Sequence, residues 1–345
     1  MRPEIFEPAQ FTRRILSVSM TIFMLLLAGC VGSSIEMESR GEIAIPHEVK
    51  ALMRNKGVEG SDPVFIRIFK QESELEVWKK RRAGDYVLLK TYEMCRWSGD
   101  LGPKRAEGDR QAPEGIYEVT LGRLNPNSKY FLSFDLGYPN KLERAKGYSG
   151  TALMVHGACS SSGCFAITDE QITEVYALVR DALRAGQPSV QVQSLPFRMT
   201  PENLARHYDN PNLSFWLDLK EASTTFEVLR RPPEFRFCEG RYRFGAAKNP
   251  GADYGPLGQC PQLEPPPQKV SEKIAADLSS VEQLREGGGN IVSSYADGGM
   301  HSRFRNVLLE KGAEFLARKT SSSAVPVSRP KAALSDPYRP LLSQQ

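Results

Sequence analysis

The chain has 345 residues, with 45 Lys and Arg against 41 Asp and Glu and a formal net charge of +4. That balance is too mild to point to nucleic acid, and no basic block or RNA-type motif adds to it. The length suffices for one domain with a sizeable core plus extensions, or for two domains.

Arg13 and Arg14 precede an apolar run, Ile15–Leu27. It is short for a bilayer span but has the length of a signal-peptide h-region. The run ends in Leu27-Ala28-Gly29-Cys30, which resembles the bacterial lipobox. The resemblance implies removal of residues 1–29, lipidation of Cys30 and attachment to a membrane through the acyl chains. It places the chain in a bacterial envelope on the periplasmic side. Val31 in place of Asp favours the outer membrane. Disulfides persist in such a compartment. Five cysteines remain besides Cys30, namely Cys95, Cys159, Cys164, Cys238 and Cys260. An odd number leaves at least one thiol unpaired if all bridges are internal.

Residues 30–60 are polar and Gly-rich and read as a tether, with a short helix expected around His47–Asn55. Val64–Lys70 alternates Val64, Ile66 and Ile68 with Phe65, Arg67 and Phe69, the period of a strand. Further strands are expected at Glu74–Lys80, Tyr86–Met94, Ile116–Leu121, Lys129–Leu136 and Ala152–His156, with turn residues between them. Thr168-x-x-Gln171 is a capping-box signature, and Ile172, Val175, Tyr176, Val179 and Leu183 then share one helical face. Gly186 is placed to stop that helix. Thr200-Pro201-Glu202 starts another helix, and a third is expected over Leu213–Ala222 before a strand at Thr225–Leu229. Pro265-Pro266-Pro267 reads as a linker, Val270–Arg285 as amphipathic helix broken at Gly287–Gly289, and Arg303–Leu316 as a last helix. Residues 320–345 lack hydrophobic period and are expected to be disordered. The fold class is therefore α+β: a β-rich core, a few peripheral helices, a partly helical extension over 241–319 and a disordered tail.

Chemistry concentrates between His156 and Cys164. A His at the end of a strand sits eight residues before a Cys that follows a Ser/Gly-rich loop, Ser160-Ser161-Ser162-Gly163. A thiolate nucleophile needs a neighbouring imidazole to take its proton or stabilise its charge. The N–H groups of Gly163 and Cys164 are candidates for an oxyanion site, and Ser161 for orienting groups around it. Two other readings stand beside this one, a disulfide for Cys164 and a zinc site built on His156, Cys159 and Cys164. The zinc reading lacks a Cys-x-x-Cys pair and a fourth ligand nearby, so no metal and no cofactor is expected.

His156-Gly157 followed by Ser161-x-Gly163-Cys164 resembles the active-site signature of the L,D-transpeptidase (YkuD-like) domain. Cys95-Arg96-Trp97-Ser98-Gly99, Gly102-Pro103-Lys104, Glu107-Gly108-Asp109, Ala112-Pro113-Glu114-Gly115, Leu136-Gly137-Tyr138-Pro139-Asn140 and Pro196-Phe197-Arg198-Met199 resemble its YafK-type branch. The resemblance implies a catalytic domain over about 61–240 and a Cys acyl-enzyme formed at the L-centre of meso-diaminopimelate in peptidoglycan stem peptides. An amine or water then resolves the thioester. Carried over, Cys164 is the nucleophile, His156 the base, and the Gly157 carbonyl orients the imidazole. Tyr138 and Asn127 lie in loops that the family places near the cleft.

Two departures stand out. Only seven residues separate His156 from Cys164, and Ala166 stands where the family signature usually carries an Arg. Arg198 is the candidate to replace that cation. Three functions are therefore weighed: a murein transpeptidase; a hydrolase of diaminopimelate-centred links, including one to the lysine of a murein-linked lipoprotein; and a non-catalytic murein-binding lipoprotein. Cys238 and Cys260 enclose a Gly/Pro-rich loop and are expected to pair. Pairing of Cys95 with Cys159 would leave Cys164 free, although sequence does not fix connectivity. Tyr295-x-Asp297-Gly298-Gly299-Met300-His301 reads as a turn without a role in the site.

Overall fold

The computed structural model of the chain describes residues 40–249, 255–286 and 295–335. The expected signal peptide, Cys30, the Gly287–Gly289 break and residues 336–345 lie outside the described residues.

The architecture is α+β, with two five-stranded sheets and helices around them. The first sheet is built on β1 (Val64–Phe69), which pairs antiparallel with β2 (Glu74–Lys80); β2 in turn pairs with β3 (Tyr86–Glu93). Both faces of β1 are buried. Val64, Ile66 and Ile68 enter the main core, while Phe65 packs with Trp78 and Phe226 in a separate cluster. Next along the chain come β4 (Arg96–Trp97), β5 (Gly115–Val119), β6 (Leu124–Asn125), β7 (Ser133–Asp135), β8 (Met154–His156), β9 (Phe165–Ala166) and β10 (Val190–Leu195). The expected strands over Ile116–Leu121, Lys129–Leu136 and Ala152–His156 thus shrink to short cores. β10 lies between β1, to which it is parallel, and β5. The second sheet runs β4-β9-β8-β7-β6. A hairpin, β11 (Phe235–Cys238) and β12 (Arg241–Phe244), follows later.

The helices are α1 (His47–Lys56), α2 (Lys141–Ala145), α3 (Asp169–Arg184), α4 (Pro201–Arg206), α5 (Leu213–Leu229), α6 (Gln268–Glu286), α7 (Ser302–Lys311) and α8 (Ala313–Thr320). The capping box at Thr168 and Gln171 forms, with both reciprocal bonds. Residues expected to form a strand at Thr225–Leu229 instead finish α5. Tertiary packing overrides β-propensity here. Phe226 lies 4.4 Å from the Phe65 ring and 4.9 Å from Trp78, and Thr225 Oγ1 donates to the helical carbonyl of Glu221. The single helix expected at Arg303–Leu316 is two, divided at Gly312 with φ +83°.

Three segments join the fold more closely than composition suggests. Within the expected tether, Ile45, Val49, Met53 and Val58 enter the main core, and Arg180 Nη1 donates to the Gly41 and Ile43 carbonyls. The extension shares that core through Val281 and Tyr295, and α6 is fixed to α5 by a buried Lys220–Asp277 pair at 2.6 Å. Residues 321–335 are not a free tail: Val327 and Ala333 are buried, Ser322 donates to Asp169 and Ser328 to the Ser161 carbonyl. Their partners lie more than 150 positions away in sequence, so local hydrophobic period carries no trace of them.

Several motifs that carry the family resemblance serve the scaffold. Glu114 is fully buried; it accepts from Lys70 Nζ (2.8 Å), Gly102 N (2.6 Å) and Trp216 Nε1 (2.7 Å). A buried carboxylate is tolerated when it is paired and its lone pairs are filled in this way.

Candidate active site

His156 ends β8, and Cys164 immediately precedes β9. The two strands are parallel, with Val155 opposite Phe165 and His156 opposite Ala166. Parallel neighbours ordinarily need a crossover of a dozen or more residues, whereas residues 157–164 make this connection in eight. Long-range bonds brace the short loop. A Cys95–Cys159 disulfide ties it to the residue before β4, and Cys95 N donates to the Ala166 carbonyl. Asp169 Oδ1, in the first turn of α3, accepts from Ala158 N at 3.0 Å. Ser161 Oγ donates to the Cys164 carbonyl at 2.7 Å. Gly163 has φ +134°, a conformation that only Gly adopts readily, and a Cβ there would meet Leu153 at 3.1 Å.

His156, Cys164, Ser160, Ser162, Arg110, Lys104, Glu107, Tyr130 and Thr151 are among the residues lining one cleft of about 320 Å³. His156 is buried, and Tyr130 stacks on its ring with centroids 4.6 Å apart. His156 Nδ1 is 2.6 Å from the Gly157 carbonyl, which can only accept. The proton therefore sits on Nδ1 and leaves the Nε2 lone pair to act as a base. Burial pushes the His156 pKa down to about 4, although the Gly157 carbonyl and Asp169 act in the opposite direction. Cys164 is the free cysteine among the described residues; the other bridge is Cys238–Cys260. Its Sγ accepts from Met154 N at 3.5 Å and faces the Ala152 carbonyl at 3.4 Å, and burial pushes its thiol up to about 11.

Burial thus works against charge on both groups of this cleft, favouring a thiol at Cys164 and an uncharged imidazole at His156. This has a measurable consequence. Alkylation of Cys164 by iodoacetamide, followed by mass mapping of its peptide, should rise about tenfold per pH unit from pH 7 to 10. A plateau near neutrality would mean a preformed thiolate–imidazolium pair.

The remaining candidates fall into two groups. Ser161 belongs to the site by holding the loop, and Gly157 by accepting from the imidazole. Gly163 N–H donates to Ser161 Oγ at 3.3 Å, so of the two expected oxyanion donors the Cys164 N–H is the one without a partner among the described residues. Arg198 is not brought to the cleft. Its guanidinium pairs with Glu74 and, at 2.7 Å, Glu76, and lies over the Phe69 ring. Asn127 is an exposed turn residue whose N–H donates to Asn125 Oδ1. Tyr138 is buried behind the cleft wall, donating to the Lys104 carbonyl at 3.0 Å.

Arg110 is not singled out by the sequence, and Asp297 lies in the turn to which the sequence assigns no role. Arg110 follows the quoted Glu107-Gly108-Asp109, so its place was open to view. Asp297 sits in the Asp297-Gly298 turn, and Gly298 is required there because a Cβ would fall 2.0 Å from the Trp97 carbonyl. That turn carries Asp297 to Arg96 at 3.1 Å and Arg110 at 2.8 Å. Ala166, two residues after Cys164, is not among the residues lining the cleft. It is buried in a second core with Cys95, Cys159, Met300, Phe304, Leu308 and Leu316. A guanidinium has no room where the C-terminal helices cover that position.

The profile of the L,D-transpeptidase catalytic domain (YkuD) matches residues 64–192. Two proteins named "Putative L,D-transpeptidase YafK", from Escherichia coli K12 and O157:H7, are each 45% identical over 180 residues, 52% of this chain and 73% of theirs. Among solved structures, the helical cell shape determining protein Pgp2 of Campylobacter jejuni aligns with a TM-score of 0.32 at 18% identity, over 55% of this chain and 80% of that one. Bd1075 of Bdellovibrio bacteriovorus aligns with a TM-score of 0.30 at 16% identity, over 49% and 62%. These two likenesses are too distant to carry argument.

Proposed function

The chain belongs to the L,D-transpeptidase (YkuD) family, and from that premise we propose that it is a murein L,D-transpeptidase working through a Cys164 thioester. The observation that carries this reading is one cleft lined by both Cys164 and His156, with the Gly157 carbonyl holding the imidazole in the tautomer a base needs.

The steps follow from those groups. Cys164 Sγ attacks the carbonyl of the L-centre of diaminopimelate in a stem tetrapeptide while His156 Nε2 takes the thiol proton. The Cys164 N–H faces the oxyanion that develops. Collapse breaks the peptide bond to the terminal D-Ala, whose amine leaves with the proton from His156. An acceptor amine then attacks the thioester, returns a proton to His156 and releases the thiol. The neutral resting pair suits this cycle, because the base must accept and return one proton in each half.

Water reaching the thioester would turn the same intermediate into a hydrolase, including one that releases a lysine-linked lipoprotein. Mass spectrometry of muropeptides incubated with the enzyme separates these cases. New diaminopimelate–diaminopimelate or lysine-linked species are expected. Loss of such links without new ones would establish the hydrolase, and no change at all would leave a binding lipoprotein.

A further inference from the structure

A cationic cluster beside the cleft exceeds what its own partners neutralise. Asp297, 5% exposed, is the carboxylate facing three arginines: Arg96 at 3.1 Å, Arg110 at 2.8 Å and Arg329 at 3.7 Å. Burial raises the Asp297 carboxyl pKa, but Arg110 and Arg96 more than offset this and hold it below the usual range. With Asp297 ionised, the four groups carry a net positive charge. The other charges at this cleft are Lys104, paired with Asp109 at 2.5 Å, and Glu107, which accepts from Thr151 Oγ1 at 3.5 Å.

Of the three arginines, Arg110 lines the cleft with Cys164 and His156. Its side chain is 26% exposed, against none for Arg96. The guanidinium is held in one orientation: Nη1 donates to Ser162 Oγ (2.9 Å), and Nη2 to the Ser161 carbonyl (3.1 Å) and to Asp297 Oδ2 (2.8 Å). Nε faces Asp297 Oδ1 at 3.4 Å. One Nη1 hydrogen keeps no partner among the described residues. Arg110 also sits at φ +58°, a costly conformation for a residue with a Cβ, and one that clusters at functional sites. A fixed, partly exposed guanidinium with a spare donor and uncompensated charge is built to receive an anion.

We propose that Arg110 is a specificity-determining residue of the cleft, pairing with a carboxylate of the peptide whose carbonyl Cys164 attacks and held in place by Asp297 from the C-terminal extension. The proposal rests on the acyl-enzyme reading above. It also assigns a role in substrate choice to a segment outside the residues 64–192 that the family profile matches.

A stem tetrapeptide has three free carboxylates, that of the leaving D-Ala, that of the D-centre of diaminopimelate and the α-carboxylate of the γ-linked D-Glu. The test compares kcat/KM for the free acid with that for peptides amidated at each in turn. The wild type should lose about 10- to 100-fold on one of the three amides, the effect of removing a charge-assisted hydrogen bond. That amide identifies the carboxylate. Arg110→Gln should bring the acid and amide to within about threefold of each other, and Arg110→Lys should keep part of the difference. If Arg110 only supported the Ser161–Ser162 loop, both substrates would slow together and their ratio would stay at the wild-type value, which would overturn the proposal. A wild type indifferent to all three amidations would do the same. Acylation of Cys164 by a carbapenem, read by mass, separates this failure from that of the enzyme reading. An enzyme that acylates but ignores amidation loses only the Arg110 role. One that never acylates loses the underlying reading, and this inference with it.

Discussion

Cys164→Ala and Cys164→Ser should both stop turnover of stem peptides, with a fall in kcat of at least about 10³-fold and no covalent adduct with a carbapenem. Alanine removes the nucleophile outright. Serine tests the chemistry more sharply. His156, held at about 4 by burial, is a weaker base than an ordinary imidazole, and a hydroxyl gives up its proton far less readily than a thiol. The substituted hydroxyl would occupy nearly the same place and still fail. Neither change should disturb the fold, because this half-buried residue's sulphur makes two long hydrogen bonds, with Met154 N and the Ala152 carbonyl. Thermal unfolding within about 0.5 kcal/mol of the parent is therefore expected. Turnover surviving in Cys164→Ser, after residual wild-type enzyme has been excluded by mass, would show that the thiol is not the nucleophile.

Removing the Cys95–Cys159 bridge by replacing both residues with Ala should be the most damaging change away from the nucleophile. The bridge spans 64 positions, for which chain entropy gives about 4 kcal/mol, against about 3 kcal/mol for the 22 positions closed by Cys238–Cys260. The larger difference should be in activity. Cys159 lies inside the short connection between two parallel strands, and Cys95 adjoins the strand that borders β9. Without the bridge, the loop that carries Cys164 loses its covalent tie and keeps hydrogen bonds and the burial of Ala158. Parallel measurements of melting temperature and kcat on the two bridge-less variants check this. Loss of Cys238–Cys260 should lower stability and leave kcat near its original value. Loss of Cys95–Cys159 should lower both. Equal kcat in the two variants would show that the bridge does not position the loop.

Much of the frame was legible from local pattern. The alternation in β1, the capping box of α3 and the His–loop–Cys spacing each depend on residues close together in the chain. What escaped depends on distant partners. Val190–Leu195 alternates Val190 and Val192 with Gln191 and Gln193, yet Gln193 and Ser194 are fully buried, so its central position does not follow from polarity. β4 and β9 are two residues long and exist through pairing with one another and with β8. Arg110 and Asp297 are separated by 187 positions, and Asp297 looked like a turn residue because it is one. Arg198 failed as the substitute cation because three acidic residues of the β1–β2 region, Glu72, Glu74 and Glu76, already surround it.

The clasp between Ser328 and Ser161 adds a temporal dimension. Ser161 N donates to Ser328 Oγ at 2.8 Å, and that hydroxyl donates back to the Ser161 carbonyl at 3.0 Å, across 167 positions of chain. A ribosome makes the catalytic loop long before it makes its fastener. The two five-stranded sheets have all their strands once residue 195 exists, yet the turn before Cys164 remains unlatched until Ser328 is added. Closure over so long a separation is slow relative to local pairing. A chain cut before Ser328 would carry the Cys164 thiol without the clasp that holds the Ser161 turn.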